Sequence, residues 1–462
     1  MKKPIFRKVF AIASGIIILC CIFNFVFRHS TSKKPNIILI TIDALRADHL
    51  SCYGYGRMTS PNIDKLAGEG VSFPNCFAVS SYTLGSMPAL LTGKYLSIFS
   101  TYREALQHDN ILDKRFITLA EYLKKYDYFT VAFLNNVHFR NGEGFEQGFD
   151  YYSYKEWNAE IITDRVIDFL NEYQDNKPLF VWIHYLDVHA PYRIHEEYFR
   201  TFENDSLYKN NDRLVEVRKS GSPNGFASDG YIPPQVFHPD KYNVNHYIAC
   251  YDSSISYVDF HIGRLLKNIH DNTIIIITAD HGESLGEHNV YFDHGSSIYD
   301  ELLHIPLIIK DNRSFKGGKK ILTAVSSLDI TPTILSKISP TWYLFNKNKF
   351  NGVDLAKIVG SKNLKRRYIY SYFPLAWGIR DIKENIKFIL NSNGNEELYF
   401  SPDENNNRIN DISLKAALAT KQLREELETW LKCYPLRADP NPKKRAVNGD
   451  LIAIFRTLGY LE

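Results

Sequence analysis

The stretch Thr278–His288, with the sequence TADHGESLGEH, places an aspartate and a histidine side by side directly after the aliphatic run Ile274–Ile277. Four consecutive β-branched residues are typical of a strand buried on both faces, and ligands in open α/β sheets bind beyond the carboxyl ends of such strands. A carboxylate oxygen from Asp280 and an imidazole nitrogen from His281 suit Zn²⁺ or Mn²⁺ better than an all-oxygen Ca²⁺ site. The alternative is that Asp280 caps a helix beginning at Gly282 and that His281 is a polar loop residue.

A second buried strand is predicted over Asn36–Ile42, and it is also followed by an aspartate, Asp43. Between the two strands lies a stretch that can start a helix with Thr83 or Ser86 at its N-terminus, where free N–H groups face an anion. A threonine hydroxyl is a weak nucleophile, but a divalent metal favours its deprotonated form. Asp43, Thr83 and the later Asp-His pair are therefore predicted to form one four-ligand metal site. The alternative for Thr83 is simple helix capping.

The elements that must position these residues alternate along the chain. Strands are predicted at Phe129–Leu134, Leu179–Ile183 and Ile305–Ile309, with helical patterns such as Leu119–Leu123 and Ile161–Tyr173 between them. Strands that alternate with helices predict an α/β fold, with a large and mostly parallel central sheet between helices.

The pattern changes in two places. Asp205–Tyr242 is rich in Ser, Asn, Gly and Pro and is predicted to be a long surface insertion of the kind that shapes a substrate cleft. Beyond a boundary near residue 340 the predicted elements are two short strands and a helix, at Tyr368–Tyr372, Lys387–Leu390 and Leu414–Trp430. We therefore predict a catalytic domain over residues 35–340 and a smaller C-terminal subdomain over residues 341–462.

Residues 1–34 are predicted to be a cytoplasmic tip, a transmembrane anchor and a linker. Four basic residues precede an apolar run from Val9 to Phe27, which is close to the ~20 residues needed to cross a bilayer. A cleaved signal peptide would have a shorter apolar core and a small-residue cleavage site, and neither is obvious here. The basic residues flanking the run favour, by a small margin, a single-pass membrane protein whose catalytic domain lies in the periplasm or outside the cell.

Composition excludes one class of partner. The 462 residues include 55 basic and 52 acidic residues, a formal net charge of +3, so the chain has no charge signature of nucleic-acid binding. Cys52, Cys76, Cys250 and Cys433 are too few and too scattered for a disulfide framework, although one disulfide is compatible with them.

Eight short blocks between Asn36 and about Tyr399 form an ordered set. They are NIILITIDALRADHLSCYGY (36–55), PNID (61–64), PALLTGKY (88–95), GFD (148–150), HYLDVHAPY (184–192), YDSSISYVDFHIG (251–263), TADHGESLGEH (278–288) and DITPT (329–333). In this order the blocks resemble the sulfatase branch of the alkaline phosphatase superfamily. The resemblance implies an alkaline phosphatase-like fold and a metal held by Asp43, Asp280 and His281, with Thr83 at the position of the nucleophile.

The stretch Thr83–Met87 departs from the pattern of true sulfatases. These carry a Cys or Ser that is converted to formylglycine, with Pro or Ala at the second following position and Arg at the fourth. Because Thr83 occupies the convertible position and Met87 that of the arginine, formylglycine is not expected. Ala44 replaces the second aspartate of the sulfatase Asp-Asp pair, so one divalent ion, Mn²⁺ or Zn²⁺ rather than Ca²⁺, is the expected cofactor. Threonine here resembles the phosphoethanolamine and phosphoglycerol transferases and the phosphodiesterases of the superfamily.

Supporting residues follow from the resemblance. His189 matches a histidine that faces the leaving-group or nonbridging oxygens, and His294 matches a substrate-facing Lys or His; either can donate a proton to the leaving alkoxide. The alternative for each is a surface or structural histidine. Arg46 can clamp an anionic oxygen or pair with Asp48. Asp187, together with the two histidines, has the chemistry for a second metal.

The sequence thus predicts a membrane-anchored metalloenzyme that cleaves or transfers a phosphoester or phosphodiester group through Thr83. Water or an acceptor alcohol would resolve the covalent threonine intermediate. The substrate would be a phosphorylated or sulfated small molecule, lipid or glycan. Two alternatives remain: a sulfuric ester hydrolase, and a noncatalytic envelope protein that keeps the fold for binding.

Overall fold

The computed structural model describes residues 33–96, 112–203, 213–217, 230–360, 368–400 and 417–433. Within these ranges no helix combines the length and the apolar character needed to cross a membrane. The predicted anchor, from Val9 to Phe27, lies outside the described residues, so the anchor and the location outside the cytoplasm stay predictions.

The described residues form seventeen strands and eleven α-helices. The strands are β1 (Asn36–Ile42), β2 (Val71–Ser72), β3 (Cys76–Phe77), β4 (Phe129–Leu134), β5 (Tyr151–Tyr154), β6 (Leu179–Tyr185), β7 (Thr273–Ala279), β8 (Ser284–Leu285), β9 (Tyr291–Asp293), β10 (His304–Ile305), β11 (Leu307–Lys310), β12 (Lys319–Lys320), β13 (Val325–Ser326), β14 (Tyr368–Phe373), β15 (Ala376–Asp381), β16 (Ile386–Asn391) and β17 (Glu396–Phe400). The helices are α1 (Pro61–Glu69), α2 (Thr83–Thr92), α3 (Leu119–Lys124), α4 (Ala159–Glu172), α5 (Glu196–Glu203), α6 (Val244–Leu266), α7 (Asp300–Leu303), α8 (Ile330–Ile338), α9 (Pro340–Asn346), α10 (Leu355–Gly360) and α11 (Ala417–Cys433).

An eight-stranded sheet in the order β12-β2-β11-β7-β1-β6-β4-β5 forms the centre of the molecule. Strands β7, β1, β6, β4 and β5 run parallel. The prediction of a mostly parallel sheet holds for this part, but the sheet as a whole is mixed, because β11 runs antiparallel to both β7 and β2. Part of the run predicted as one strand at Ile305–Ile309 belongs elsewhere: β10 pairs with β3, and only β11 joins the large sheet.

The register of the central strands determines the position of the residues that come directly after each strand. Ile42, the last residue of β1, is opposite Ala279 of β7 and Tyr185 of β6. All seven residues of β7 are buried, as expected for a strand covered on both faces. Because the parallel strands end at one level, the residues that follow them meet at the same edge of the sheet.

Two groups of helices cover the sheet. Helices α1, α4 and α5 all pack on the long helix α6, whereas α2, α3 and α10 pack on α8. Strand β4 contacts α3 from one group and α4 from the other, so the sheet lies between the two helical layers. This three-layer arrangement confirms the predicted α/β class.

A four-stranded antiparallel sheet, β14-β15-β16-β17, forms a second unit together with α11. Its first strand docks beside the segment that leads into α2. The Tyr372 hydroxyl donates a hydrogen bond to the carbonyl of Gly85 (3.0 Å), and the Ser80 hydroxyl donates to the carbonyl of Tyr372 (2.7 Å). A Cβ added at Gly85 would lie 2.5 Å from Ser80 Oγ, so this contact leaves no room for the Pro or Ala that the sulfatase pattern has at this position.

The C-terminal sheet and helix confirm the elements predicted beyond residue 340, while the domain boundary itself stays a prediction. Helix α9 begins at Pro340 and packs on α8, and Trp342 contacts Tyr122 of α3. The insertion predicted over Asp205–Tyr242 is described only at residues 213–217 and 230–242, where it contains no regular helix.

Candidate active site

The four residues predicted to form a metal site lie together at the carboxyl edge of the sheet. His281 Nε2 lies 3.6 Å from Asp43 Oδ1, 3.5 Å from Asp280 Oδ2 and 3.4 Å from Thr83 Oγ1. Asp43, Asp280 and His281 are fully buried and Thr83 is 2% exposed. One nitrogen and three oxygens from three separate parts of the chain therefore converge on one point.

Asp280 is held by backbone N–H groups of the two turns that follow β1 and β7. Its Oδ1 accepts hydrogen bonds from the N–H groups of Ala44 (3.2 Å) and His281 (2.9 Å), which leaves Oδ2 without a hydrogen-bond partner. Ala44 has a φ of 56°, a left-handed conformation that is rare for a residue with a side chain and recurs at functional sites. The Tyr251 hydroxyl donates to the Ala44 carbonyl at 2.7 Å and helps to hold this turn.

Asp43 is oriented by Asn136 and His184, two residues that were not predicted to be part of the site. Its Oδ2 accepts from Asn136 Nδ2 (2.6 Å) and contacts His184 Nε2 (3.1 Å), and its Oδ1 has no hydrogen-bond partner. The Thr41 hydroxyl lies 2.8 Å from His184 Nδ1; when it donates its proton there, His184 Nε2–H donates to Asp43. Asn136 lies just beyond the end of β4, a third parallel strand of the sheet. That position is the sequence feature from which its place in the site could have been predicted.

Two carboxylate oxygens without a hydrogen-bond partner, Asp43 Oδ1 and Asp280 Oδ2, indicate that these residues fit a metal ion. Buried carboxylate oxygens without partners are costly, and here both point at the same imidazole nitrogen. Two carboxylates, one imidazole and one hydroxyl form a donor set suited to a divalent ion. Among the described residues, Asp43, Asp280 and His184, the histidine that contacts Asp43, have donor atoms within 4.8 Å of one another and could hold a metal ion.

The electrostatics of Asp43 agree with an anionic ligand. Burial alone would raise the pKa of the Asp43 carboxyl, but the neighbouring His189, His184 and His281 outweigh burial and hold that pKa well below its ordinary value. Asp43 is therefore ionised at neutral pH.

Thr83 and Asp280 are not helix caps, so both capping alternatives are wrong. Helix α2 has Tyr82 at its N-cap, and Thr83 is its first residue. No helix begins at Gly282, since the next element is the short strand β8. The Ser86 hydroxyl donates to the Asp280 carbonyl (2.6 Å) and thereby ties α2 to the end of β7.

His189 and His294 lie beside the cluster, as predicted. The ring of His294 stacks on that of His281 at 4.4 Å between centroids and meets the ring of His189 at 4.6 Å. Burial lowers the pKa of His189. Burial also disfavours the cationic form of His294, but Glu283, 3.2 Å from its Nδ1, outweighs burial and raises the pKa of His294 to about 9.

Arg46 pairs with Asp48, which is the alternative to an anion clamp. Its Nε and one terminal nitrogen donate to the two carboxylate oxygens of Asp48 (2.9 and 2.7 Å), and its other terminal nitrogen donates to Glu287 Oε1 (2.7 Å) and to the Glu283 carbonyl (3.0 Å). The guanidinium is thus engaged in holding the loop after β8, and a catalytic role for Arg46 stays a prediction.

The structure brings two of the three proposed second-metal ligands, His189 and His294, into contact, whereas Asp187 has a partner elsewhere. Asp187 Oδ1 accepts from the N–H of Ala159, the first residue of α4, at 3.1 Å. In the parts of the chain that are described, the donor atoms of Asp187, His189 and His294 form no candidate metal group. The second metal therefore stays a prediction.

Replacing Asn136 with Ala is expected to weaken metal binding by about 10–100-fold, the usual effect of removing a residue that orients a ligand. Without the amide, Asp43 Oδ2 loses its 2.6 Å hydrogen bond and the carboxylate can rotate. Competition with a chelator measures the affinity. Asn135→Ala is the matched control, because the Asn135 amide donates to the Trp157 carbonyl instead. Equal affinities in the two variants would contradict the role given to Asn136.

Comparisons with known proteins show the family of this chain. The Sulfatase family model matches residues 35–338, more than half of the chain. An N-acetylglucosamine-6-O-sulfatase of Bacteroides thetaiotaomicron is 27% identical over 387 residues, which cover 66% of this chain and 68% of that protein.

Two solved structures share the fold. One, a protein in complex with its substrate D-glucosamine-2-N,6-O-disulfate, has a TM-score of 0.66 at 22% identity and covers 89% of this chain and 99% of its own. The other is a phosphonate monoester hydrolase of Agrobacterium radiobacter, with a TM-score of 0.64 at 19% identity. The match covers 87% of this chain and 96% of that protein's chain.

Proposed function

The chain belongs to the sulfatase family, and from this premise we propose that it is a metal-dependent sulfuric ester hydrolase with Thr83 as its nucleophile. The observation that supports the proposal is the convergence of Thr83 Oγ1 and two unpaired carboxylate oxygens on His281 Nε2. The phosphoester reaction favoured by the sequence is not confirmed, because the family and most relatives point to sulfate esters. The sulfuric ester alternative therefore becomes the leading one.

The donor set defines what each residue would do. Asp43, Asp280, His281 and Thr83 would hold one divalent ion, with Mn²⁺ or Zn²⁺ expected, which would lower the pKa of the Thr83 hydroxyl and neutralise charge on the sulfuryl oxygens. In the first step the Thr83 hydroxyl releases its proton to solvent, the bond from Thr83 Oγ1 to sulfur forms and the bond from sulfur to the ester oxygen breaks. The leaving alkoxide takes a proton from His189 or His294. Water then cleaves the Oγ1–S bond: sulfate leaves, one proton of the water restores the Thr83 hydroxyl and the other returns to the histidine.

The substrate class follows from the position of the site and from the relatives. Asp43, Thr83 and His281 are buried, whereas the segment from His294 to Ser297 is partly exposed, so an ester group would enter across His294. An N-acetylglucosamine-6-O-sulfatase is among the relatives, and a disulfated glucosamine is the substrate of a protein with the same fold. A sulfated amino sugar, alone or in a glycan, is the substrate that we propose.

A phosphonate monoester or phosphodiester is the second candidate. Thr83 stands where formylglycine forms in true sulfatases, and Met87 replaces the arginine of that pattern. An unmodified threonine can attack phosphorus by the same steps, with a phosphothreonine intermediate. The phosphonate monoester hydrolase with the same fold makes this group of substrates the appropriate comparison.

The test is a substrate panel with the full chain, stripped of metal and then supplied separately with Mn²⁺, Zn²⁺ or Ca²⁺. The panel contains N-acetylglucosamine 6-sulfate, an aryl sulfate, an aryl phosphonate monoester, an aryl phosphodiester and an aryl phosphomonoester. We expect the highest kcat/KM for a sulfate ester. Preference for the phosphonate or the diester would favour the second candidate, and metal binding without turnover of any ester would favour a noncatalytic binding protein.

A further inference from the structure

Two histidines and a cysteine form a separate cluster at the start of α6. His246 and Cys250 are four residues apart, so both side chains lie on one face of the helix. His238 reaches them from the loop that precedes the helix. His238 Nδ1 lies 2.8 Å and Cys250 Sγ lies 3.7 Å from His246 Nε2, and all three donor atoms lie within 4.8 Å of one another.

His238 is held with its lone pair directed into the cluster. Its Nε2 lies 3.2 Å from the Tyr192 carbonyl, which can only accept, so the ring proton is on Nε2 and Nδ1 is bare. The Tyr247 hydroxyl accepts from the His238 N–H (3.0 Å) and fixes its backbone. A ring N–H donated to a backbone carbonyl is the usual support of a metal-binding histidine.

The surroundings keep the three groups neutral in the absence of a metal. Burial raises the pKa of the Cys250 thiol to about 12. Burial lowers the pKa of His246 to about 4 and that of His238 as well. Neutral imidazoles carry the lone pairs that bind metals, and the thiol needs only to lose its proton.

We propose that His238, His246 and Cys250 form a zinc site that is distinct from the candidate active site. Tetrahedral zinc with Zn–N near 2.0–2.1 Å and Zn–S near 2.3 Å requires an N···S separation of about 3.5 Å and an N···N separation of about 3.3 Å. The observed 3.7 Å and 2.8 Å are within a small side-chain adjustment of these values. Binding releases the thiol proton to solvent, and the ring proton of His246 moves from Nε2 to Nδ1. Water completes the fourth position.

This site would join three parts of the chain near the candidate active site. His238 belongs to the segment predicted as an insertion, and the other two ligands belong to α6. Tyr192, whose carbonyl holds His238, follows His189 by three residues and also packs its ring on Tyr251, the residue that holds the turn at Ala44. Zinc bound here would fix the insertion against the loop that carries His189.

The test uses cobalt and zinc on the full chain. Co²⁺ bound to a thiolate gives a near-ultraviolet charge-transfer band, which the oxygen and nitrogen ligands of the candidate active site do not produce. We expect this band in the wild-type protein and in Asp280→Asn, and its loss in Cys250→Ser. Metal analysis should give two zinc ions per chain in the wild type and one in either single variant.

Cys76→Ser is the matched control for removal of another buried cysteine, and it should keep the band. X-ray absorption at the zinc edge of the wild-type protein should show sulfur near 2.3 Å, on average one sulfur for every two zinc ions, and this measurement does not depend on how any variant folds. Absence of both the band and the sulfur in the wild type, or a band that persists in Cys250→Ser, would overturn the proposal. None of these readouts depends on turnover at Thr83.

Discussion

Replacing Thr83 with valine is expected to lower kcat/KM by about 10⁴-fold or more, because valine keeps the branched shape but has no hydroxyl to attack the ester. The hydroxyl is the group that faces His281 Nε2 at 3.4 Å, at the first residue of α2. Turnover should be measured with the best ester of the panel, at a metal concentration that saturates the variant. Metal content must be measured in parallel, since Thr83 is also an expected ligand.

Two variants separate the loss of the nucleophile from a general effect on the helix. Thr83→Ser keeps a hydroxyl at the same position and should retain most of the activity. Thr92→Val removes a hydroxyl at the other end of α2, where it donates to the Pro88 carbonyl, and should leave kcat/KM unchanged. Near wild-type activity in the valine variant at position 83 would mean that water attacks directly, and the nucleophile assignment would fail.

Replacing Asp300 with Asn is expected to lower the free energy of unfolding by about 3–5 kcal/mol, because it leaves two buried cations without their anion. The carboxylate at the start of α7 accepts from Lys387 Nζ (2.8 Å) and from Arg380, and all three side chains are at least nine-tenths buried. Urea unfolding at neutral pH measures the change. The surface pair of Glu69 and Lys310 is the control, and Glu69→Gln should cost no more than about 1 kcal/mol.

The same carboxylate predicts how stability depends on pH. Burial would raise the pKa of Asp300, but Arg380 and Lys387 outweigh burial and hold the pKa well below its ordinary value. A lowered folded-state pKa adds stability above the unfolded-state value of about 3.9, and this contribution is lost as the pH falls below it. Between about pH 5 and pH 2 the wild type should therefore lose more stability than Asp300→Asn. Parallel acid curves for the two proteins would contradict this role of Asp300.

The central strands and the meeting of Asp43 with Asp280 were predictable because both depend on local sequence. Unbroken aliphatic runs mark β1 and β7 as buried, and parallel strands bring their ends to one edge, which placed Asp43 beside Asp280. The direction of β11 was not predictable, since an aliphatic run has no feature that distinguishes parallel from antiparallel pairing.

Side-chain partners that come from distant loops could not be predicted. The sequence left Arg46 undecided between an anion clamp and Asp48, and its contact with Glu287 depends on the fold of a loop 241 residues away. The spacing of His246 and Cys250 is visible in the sequence, but His238 belongs to a segment without periodicity. Only the folded chain shows that these three side chains meet.

The docking of the C-terminal sheet on α2 has a consequence for truncated forms of the protein. A chain cut after residue 360 would keep every proposed metal ligand and the nucleophile, yet it would lack the Tyr372 hydroxyl that holds the Gly85 carbonyl in the first turn of α2. An inactive fragment of this kind would suggest a catalytic group near the C-terminus. The actual loss would be the orientation of Thr83, because the C-terminal sheet fixes the direction of a side chain that it does not contain.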